Sequence, residues 1–298
     1  MKDLHHGCDS GIRVTASPNP TLAFIAGIMR RSGTNYIARL LLEHPEVCRP
    51  KGHWELPLFE VADKYAEFHD AFLNKGKAGR LKYSLDDFAR CFGEGLLSLL
   101  NEWVSPAAPA ARYLLHKYPA TRGIEHFRRF FPTAKLIFIV RDGRDNVNSL
   151  MVAAGFRGGH WSLKRWVYFY KFAREWAHSA RRILDYTARP EAACLVVKYE
   201  DLYREPERML ERLSEYLNLS VSTEWADAAR NIAVTGSGFY RPAGDSVVEV
   251  PGKAFWQKVN KTSQFKPIGR WRSSWSWLDK RLFTKLAGRE LKELGYLD

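Results

Sequence analysis

Three features of the sequence predict an α/β fold of three layers, with a central, mostly parallel β-sheet flanked by helices. Short apolar runs recur at residues 22–28, 135–140 and 194–197. Each is followed by a polar turn and then by apolar residues at helical spacing. The runs are apolar throughout instead of alternating, as in strands covered on both faces. Strands alternating with helices favour parallel order and right-handed crossovers, with ligands outside the carboxyl ends of the strands.

Residues 1–20 are polar and read as a loose arm, leaving 21–298 as a single domain with helical insertions or a cap. Leu22 to Ile28 is the first strand, Met29 to Asn35 a tight basic loop, and Tyr36, Ile37, Leu40 and Leu41 the apolar face of a helix. Arg112–His116 is a short strand and Ile124–Phe131 a helix. Lys135–Val140 is the clearest strand, and it ends in Arg141-Asp142-Gly143-Arg144-Asp145. Val147, Leu150 and Met151 then begin another helix. Cys194–Val197 is a third strand, followed by Lys198–Leu202. A helix starting at Pro206 places Met209, Leu210, Leu213, Tyr216 and Leu217 on one face. The aromatic stretches 155–190 and 220–275 are expected as insertions or cap. Within them Trp161, Trp166, Tyr168, Phe169, Tyr170, Phe172 and Trp176 are expected mainly as core.

The chain has 298 residues, 46% of them hydrophobic, which suffices for a large core. Its formal charge of +13 favours anionic partners such as nucleotides or sulfated and phosphorylated substrates. The four cysteines, Cys8, Cys48, Cys91 and Cys194, lack zinc-site spacing and read as reduced, mostly buried thiols. No N-terminal stretch has a secretory leader's pattern, and no apolar run approaches the ~20 residues of a membrane span. These points predict a cytoplasmic protein without metal.

The loop after the first strand presents backbone N–H groups at a helix start, where anions are favoured. A phosphate loop of the Walker type needs Lys after its second Gly. Here the order is Arg31-Ser32-Gly33-Thr34-Asn35, with the cation before the Gly. That order disfavours a kinase or other NTPase, the first alternative. A second alternative, a non-enzymatic polyanion or nucleic-acid binder, draws on charge and aromatics, but no nucleic-acid motif is present.

Arg31-Ser32-Gly33-Thr34 resembles the 5′-phosphosulfate loop of sulfotransferases that use 3′-phosphoadenosine 5′-phosphosulfate (PAPS). Arg30 stands where that family usually has Pro, and Asn35 where it has a hydroxyl residue. Arg141-Asp142-Gly143-Arg144-Asp145, with Ser149 eight residues after Arg141, resembles the family's second signature. His116-Lys117-Tyr118-Pro119 and Tyr199-Glu200-Asp201-Leu202 resemble two further family segments. The resemblance runs from about residue 22 to 219 and weakens beyond, where Lys266 to Arg272 looks like a closing segment.

The resemblance implies a P-loop NTPase-like three-layer fold, PAPS as co-substrate and 3′-phosphoadenosine 5′-phosphate (PAP) as product. It implies donor contacts from Arg30, Arg31, Ser32, Gly33, Thr34 and Asn35, with Arg31 stabilising the leaving group. Arg141 and Ser149 are expected at the 3′-phosphate, and Tyr199, Lys266 and Arg270 as further donor contacts. Arg144 and Asp145 are expected either there or in a structural network. Glu55 is the first candidate base, His53 the second and His116 a third. The acceptor, a small molecule, lipid, carbohydrate or peptide tyrosine, and the oligomeric state are left open by the sequence.

Overall fold

The structure is a computed structural model that describes residues 20–50, 55, 57–60, 62–73, 84–102, 104, 111–156, 162–231, 234–235, 240–243, 246–249, 258–259 and 267–297. Strand β1 (Thr21–Gly27), helix α1 (Thr34–Leu42) and the short β2 (Val47–Cys48) come first. Helices α2 (Ala62–Leu73) and α3 (Leu85–Glu102) precede β3 (Tyr113–Tyr118). A 3-10 turn at Ile124–His126 runs into α4 (Phe127–Phe130), followed by β4 (Lys135–Val140), α5 (Gly143–Ala153) and α6 (Leu163–Thr187). Then come β5 (Cys194–Lys198), α7 (Tyr199–Arg204), α8 (Pro206–Leu217) and α9 (Thr223–Asn231). Strands β6 (Val234–Thr235), β7 (Tyr240–Ala243), β8 (Ser246–Glu249) and β9 (Lys258–Val259) form two antiparallel ribbons, β6 with β9 and β7 with β8. Helices α10 (Trp271–Ser274) and α11 (Trp277–Glu293) close the chain.

The main sheet has the order β2-β3-β1-β4-β5, and every neighbouring pair is parallel. The chain builds β2 and β3 to one side of β1 and β4 and β5 to the other. The strand order therefore reverses at β1, and the crevice beside its carboxyl end is where such sheets bind ligands. Gly27 at the end of β1 lies opposite Ile139 of β4. The segments that leave these two strands thus start side by side.

The uniformly apolar strands are explained by two covered faces. Leu22, Phe24, Leu136 and Phe138 pack with Val147 of α5, Phe169 and Trp176 of α6 and Phe283 of α11. Ala23, Ile25, Ile137 and Ile139 face the other way, against Ile37 and Leu41 of α1 and Leu210 and Leu213 of α8. The expected three layers are present. Strand β3 runs to Tyr118, two residues past the predicted end, and the predicted helix at 124–131 divides into a 3-10 turn and α4.

Phe169, Phe172 and Trp176 are core, as expected, but Tyr168 and Tyr170 of the same run are exposed. Trp161 and most of the predicted arm lie outside the described residues. Of the described thiols, Cys48 is buried, Cys194 half-buried and Cys91 exposed. The expectation of mostly buried cysteines thus fails for Cys91, whose place on amphipathic α3 faces solvent.

Helices α6 and α11 are joined by a buried fork. Arg165 donates to both carboxylate oxygens of Asp279 at 2.9 and 2.8 Å. Burial pushes the Asp279 carboxyl up, but hydrogen bonds from Arg165 and Ser276 more than offset it and hold the group below its ordinary value. A depressed carboxylate contributes stability above its unfolded pKa and loses it as pH falls through the folded value. Removing one member leaves the other buried and uncompensated. Asp279→Ala is accordingly expected to cost about 3–5 kcal/mol in urea unfolding at neutral pH. A cost below about 1 kcal/mol would contradict this role for the pair.

Candidate functional site

The loop after β1 has an unusual backbone. Arg31 sits at φ 71° and Gly33 at φ 103°, both in the left-handed region. A non-glycine residue there carries strain of the kind concentrated at functional sites. Gly33 has a second constraint, because a Cβ on it would lie 2.4 Å from Cδ2 of Tyr199. Gly27 is similarly crowded: its Cβ would lie 2.7 Å from Ser32 Oγ and 2.6 Å from Thr34 Cγ2. Both glycines let the loop fold tightly over the strand ends.

Neither hydroxyl of this loop caps α1. The N-cap position is Gly33, with no side-chain cap hydrogen bond. Ser32 Oγ is buried and has no hydrogen-bond partner among the described residues. A buried, unpartnered hydroxyl is costly unless a ligand completes it. Thr34 is buried, Asn35 half-buried and Arg30 exposed.

The second loop meets the first. Arg141 donates to the backbone carbonyl of Arg31 at 2.9 Å and to that of Pro267 at 2.7 Å. Arg31 Nε donates to Ser149 Oγ at 3.3 Å, two turns along α5. Asn146 Nδ2 donates to the Arg30 carbonyl at 2.7 Å. The Arg141 guanidinium lies over the Tyr199 ring, 4.6 Å from its centre, and its Nε is buried without a partner. Arg31, Arg141, Ser149 and Tyr199 were singled out in the sequence, and the structure brings them together.

Electrostatics at this point favour an anion. Burial first, and then the nearby charges of Arg141 and Arg270, pull the Arg31 guanidinium down to about 10. Among the described residues no carboxylate hydrogen-bonds to Arg31 or Arg141. Burial pushes the Tyr199 phenol up to about 12, with Arg141 opposing, so Tyr199 stays neutral. Two cations sharing one crevice destabilise each other, and an anion bound between them relieves that repulsion.

Arg144 and Asp145 take part in a structural network. Arg144 pairs with Asp142 at 2.7 Å and lies 4.2 Å from the Trp271 ring centre. Asp145 accepts from the amides of Gly269 at 2.5 Å and Trp271 at 3.2 Å. These bonds hold Arg270 beside the crevice. Lys266 and His53 lie outside the described residues.

Glu55 is exposed and accepts a hydrogen bond from Lys117, which is fully buried near the carboxyl end of β3. Burial lowers the Lys117 ammonium from its ordinary value; Glu55 opposes this and Arg49 adds to it. Next along β3, Tyr118 is pushed up to about 12, chiefly by burial and then by Glu60 and Glu55, with Arg30 opposing. Glu55 and the first loop therefore share a neighbour. His116 is buried within β3 and stacked on Phe24 at 5.9 Å, which suits a packing residue. Sequence reasoning gave Lys117 no role of its own; a lysine inside an apolar strand was the signal for it. Among the described residues no group of three or more His, Cys, Asp or Glu could hold a metal ion.

An α/β sheet with two arginine-bearing loops at its switch point is suited to binding an anion there. The sulfotransferase family model matches residues 23–223, and the chain belongs to that family. Curated relatives include protein-tyrosine sulfotransferase 1 of Danio rerio, 29% identical over 70% of this chain and 54% of the relative. Protein-tyrosine sulfotransferase 2 of Gallus gallus is 27% identical over 76% of this chain and 56% of the relative. The chain thus spans about half the length of the curated relatives it matches. A mouse sulfotransferase solved in complex with PAP shares the fold, with a TM-score of 0.51 and 14% identity over 92% of this chain and 84% of that one.

These relatives correct one expectation. The cytoplasmic placement does not stand, because the matching enzymes are protein-tyrosine sulfotransferases. It had rested on unpaired cysteines, the lack of a leader pattern and apolar-run length, and none of these assigns a compartment. Among the described residues no helix is long and apolar enough to cross a membrane.

Proposed function

We propose that this chain is a PAPS-dependent sulfotransferase that moves a sulfuryl group to an acceptor hydroxyl. The observation that carries the reading is the junction of the two arginine loops, with Ser32 Oγ and Arg141 Nε buried and unpartnered inside it. Those atoms fit a ligand with an anionic group at each end. Arg31, Ser32, Gly33, Thr34 and Asn35 take the 5′-phosphosulfate, with Arg30 at the outer edge. Arg141 and Ser149 take the 3′-phosphate, Tyr199 packs beneath Arg141, and Arg270 adds charge from the C-terminal segment.

The reaction is an in-line displacement at sulfur. The acceptor oxygen forms a bond to sulfur as the bond from sulfur to the oxygen bridging it to the 5′-phosphate breaks. PAP leaves carrying the negative charge, and Arg31 stabilises it as it develops. The acceptor proton passes to the Glu55 carboxylate, which Lys117 orients. The acceptor class best supported by the relatives is a protein tyrosine. Its phenol, with an ordinary pKa of about 10, is easier for a carboxylate to deprotonate than an alcohol.

Thermal unfolding with added ligand tests the donor. PAP is expected to raise the melting temperature, whereas ATP and a random oligonucleotide are not, since only a ligand of the folded state stabilises it. Stabilisation by ATP alone would contradict the reading. Labelled-donor transfer to tyrosine peptides then separates the roles. Arg31→Ala should lose about 10²–10³ in kcat with the fold intact. Arg141→Ala should raise the PAP Kd by about 10–100-fold, and an unchanged Kd would remove Arg141 from the site. Transfer to sugars but not to tyrosine peptides would overturn the acceptor class.

A further inference from the structure

The peptide between Arg141 and Asp142 is held from both sides. Its carbonyl accepts from Trp176 Nε1 at 3.2 Å. Its N–H donates to Glu200 Oε1 at 3.0 Å. With both ends fixed, that peptide plane cannot rotate, and the direction in which the Arg141 side chain leaves the backbone is set. Glu200 lies in the first turn of α7, buried, beside the Tyr199 that packs under Arg141.

The second oxygen of Glu200 is held from the far end of the chain. Tyr296 donates its hydroxyl to Glu200 Oε2 at 3.0 Å. The Tyr296 backbone carbonyl accepts from Arg144 at 3.0 Å, and the same guanidinium binds the Asp142 carboxylate. The ring is held by Lys198, whose ammonium lies 4.9 Å from its centre. Tyr296 follows the last turn of α11 and donates its own amide to Leu291 at 2.8 Å. One residue near the C-terminus thus contacts both side chains that fix Asp142, and it touches neither loop's guanidinium in the crevice.

The geometry points to Tyr296 as a positioning residue for the donor, acting through Glu200 and the Asp142 amide to aim Arg141 at the 3′-phosphate. The inference rests on the sulfotransferase reading above. A carboxylate with one oxygen on an amide and the other on a phenol has one preferred orientation. Without the phenol it can swing about its terminal torsion, which is a soft one. The Asp142 amide then loses a fixed acceptor, and Arg141 samples more directions than the one that meets a phosphate. Ligand binding must select the competent fraction, so apparent affinity falls in proportion.

Calorimetric titration of PAP into the full chain tests this, with Tyr296→Phe, Glu200→Gln and the double variant beside the wild type. Tyr296→Phe keeps the ring and its lysine contact and removes only the hydroxyl. It is expected to raise the PAP Kd roughly tenfold, the effect of one hydrogen bond to a charged group. The donor KM should rise with it, and kcat at saturating donor should change far less. Because both residues act along one chain of contacts, the double variant should be little worse than Glu200→Gln alone. A purely structural hydroxyl would lower the melting temperature and leave the Kd of the folded protein unchanged, and that result overturns the inference. Full additivity in the double variant overturns it as well. A wild-type chain that fails to bind PAP overturns the donor reading and this inference together.

Discussion

The hydrogen bond from Arg141 to the carbonyl of Arg31 joins two loops 110 residues apart, and the rest of the site is arranged around it. The bond needs β1 and β4 to be neighbours, which the strand order supplies. It needs the first loop to turn its carbonyl inward, which the left-handed Arg31 achieves at some cost in strain. It also needs Arg141 to be aimed, and that falls to Trp176, Glu200 and Tyr199. The resulting crevice holds two cations close enough that the charge of Arg141 lowers the Arg31 guanidinium. In the proposed reading, an anionic nucleotide bound there turns this repulsion into binding.

The scaffold around the crevice is apolar and the connections across it are polar. Two buried faces of one parallel sheet place the strand ends. Carboxylates then tie distant segments to the second loop: Asp145 holds Gly269 and Trp271, and Glu200 holds Asp142 and Tyr296. Burial pushes both carboxyls up, and neighbouring charges and amide hydrogen bonds oppose that push. Such groups are placed for geometry, since a buried carboxylate that loses its donors is destabilising. The C-terminal segment therefore belongs to the site although it contributes no strand to the sheet.

Much of this was legible in the sequence. Strands β1, β4 and β5 stood out because buried parallel strands read as continuous apolar runs. The two loops stood out because Arg31 to Thr34 and Arg141 to Ser149 match a family pattern at both places, in the right order. The burial of Phe169 and Trp176 was expected from the aromatic run they belong to, but their exposed neighbours Tyr168 and Tyr170 show that composition alone does not assign a face. The pairing of Lys117 with Glu55, the support from Asp145 and the contact between Tyr296 and Glu200 were not legible. Each is one or two polar contacts across 62, 124 or 96 residues of sequence, and such contacts leave no periodic signal. The cellular compartment was misread because thiol spacing, leader pattern and apolar-run length do not by themselves report location.

The central claim is that the second loop reads a 3′-phosphate while the first reads the phosphosulfate. The most direct measurement compares the affinity of the wild-type chain for PAPS and for adenosine 5′-phosphosulfate, which differ only in the 3′-phosphate. The account predicts that the ligand without it binds about 10–100-fold more weakly, since it forfeits charge-assisted bonds to Arg141 and Ser149. Equal affinity for the two nucleotides would contradict it.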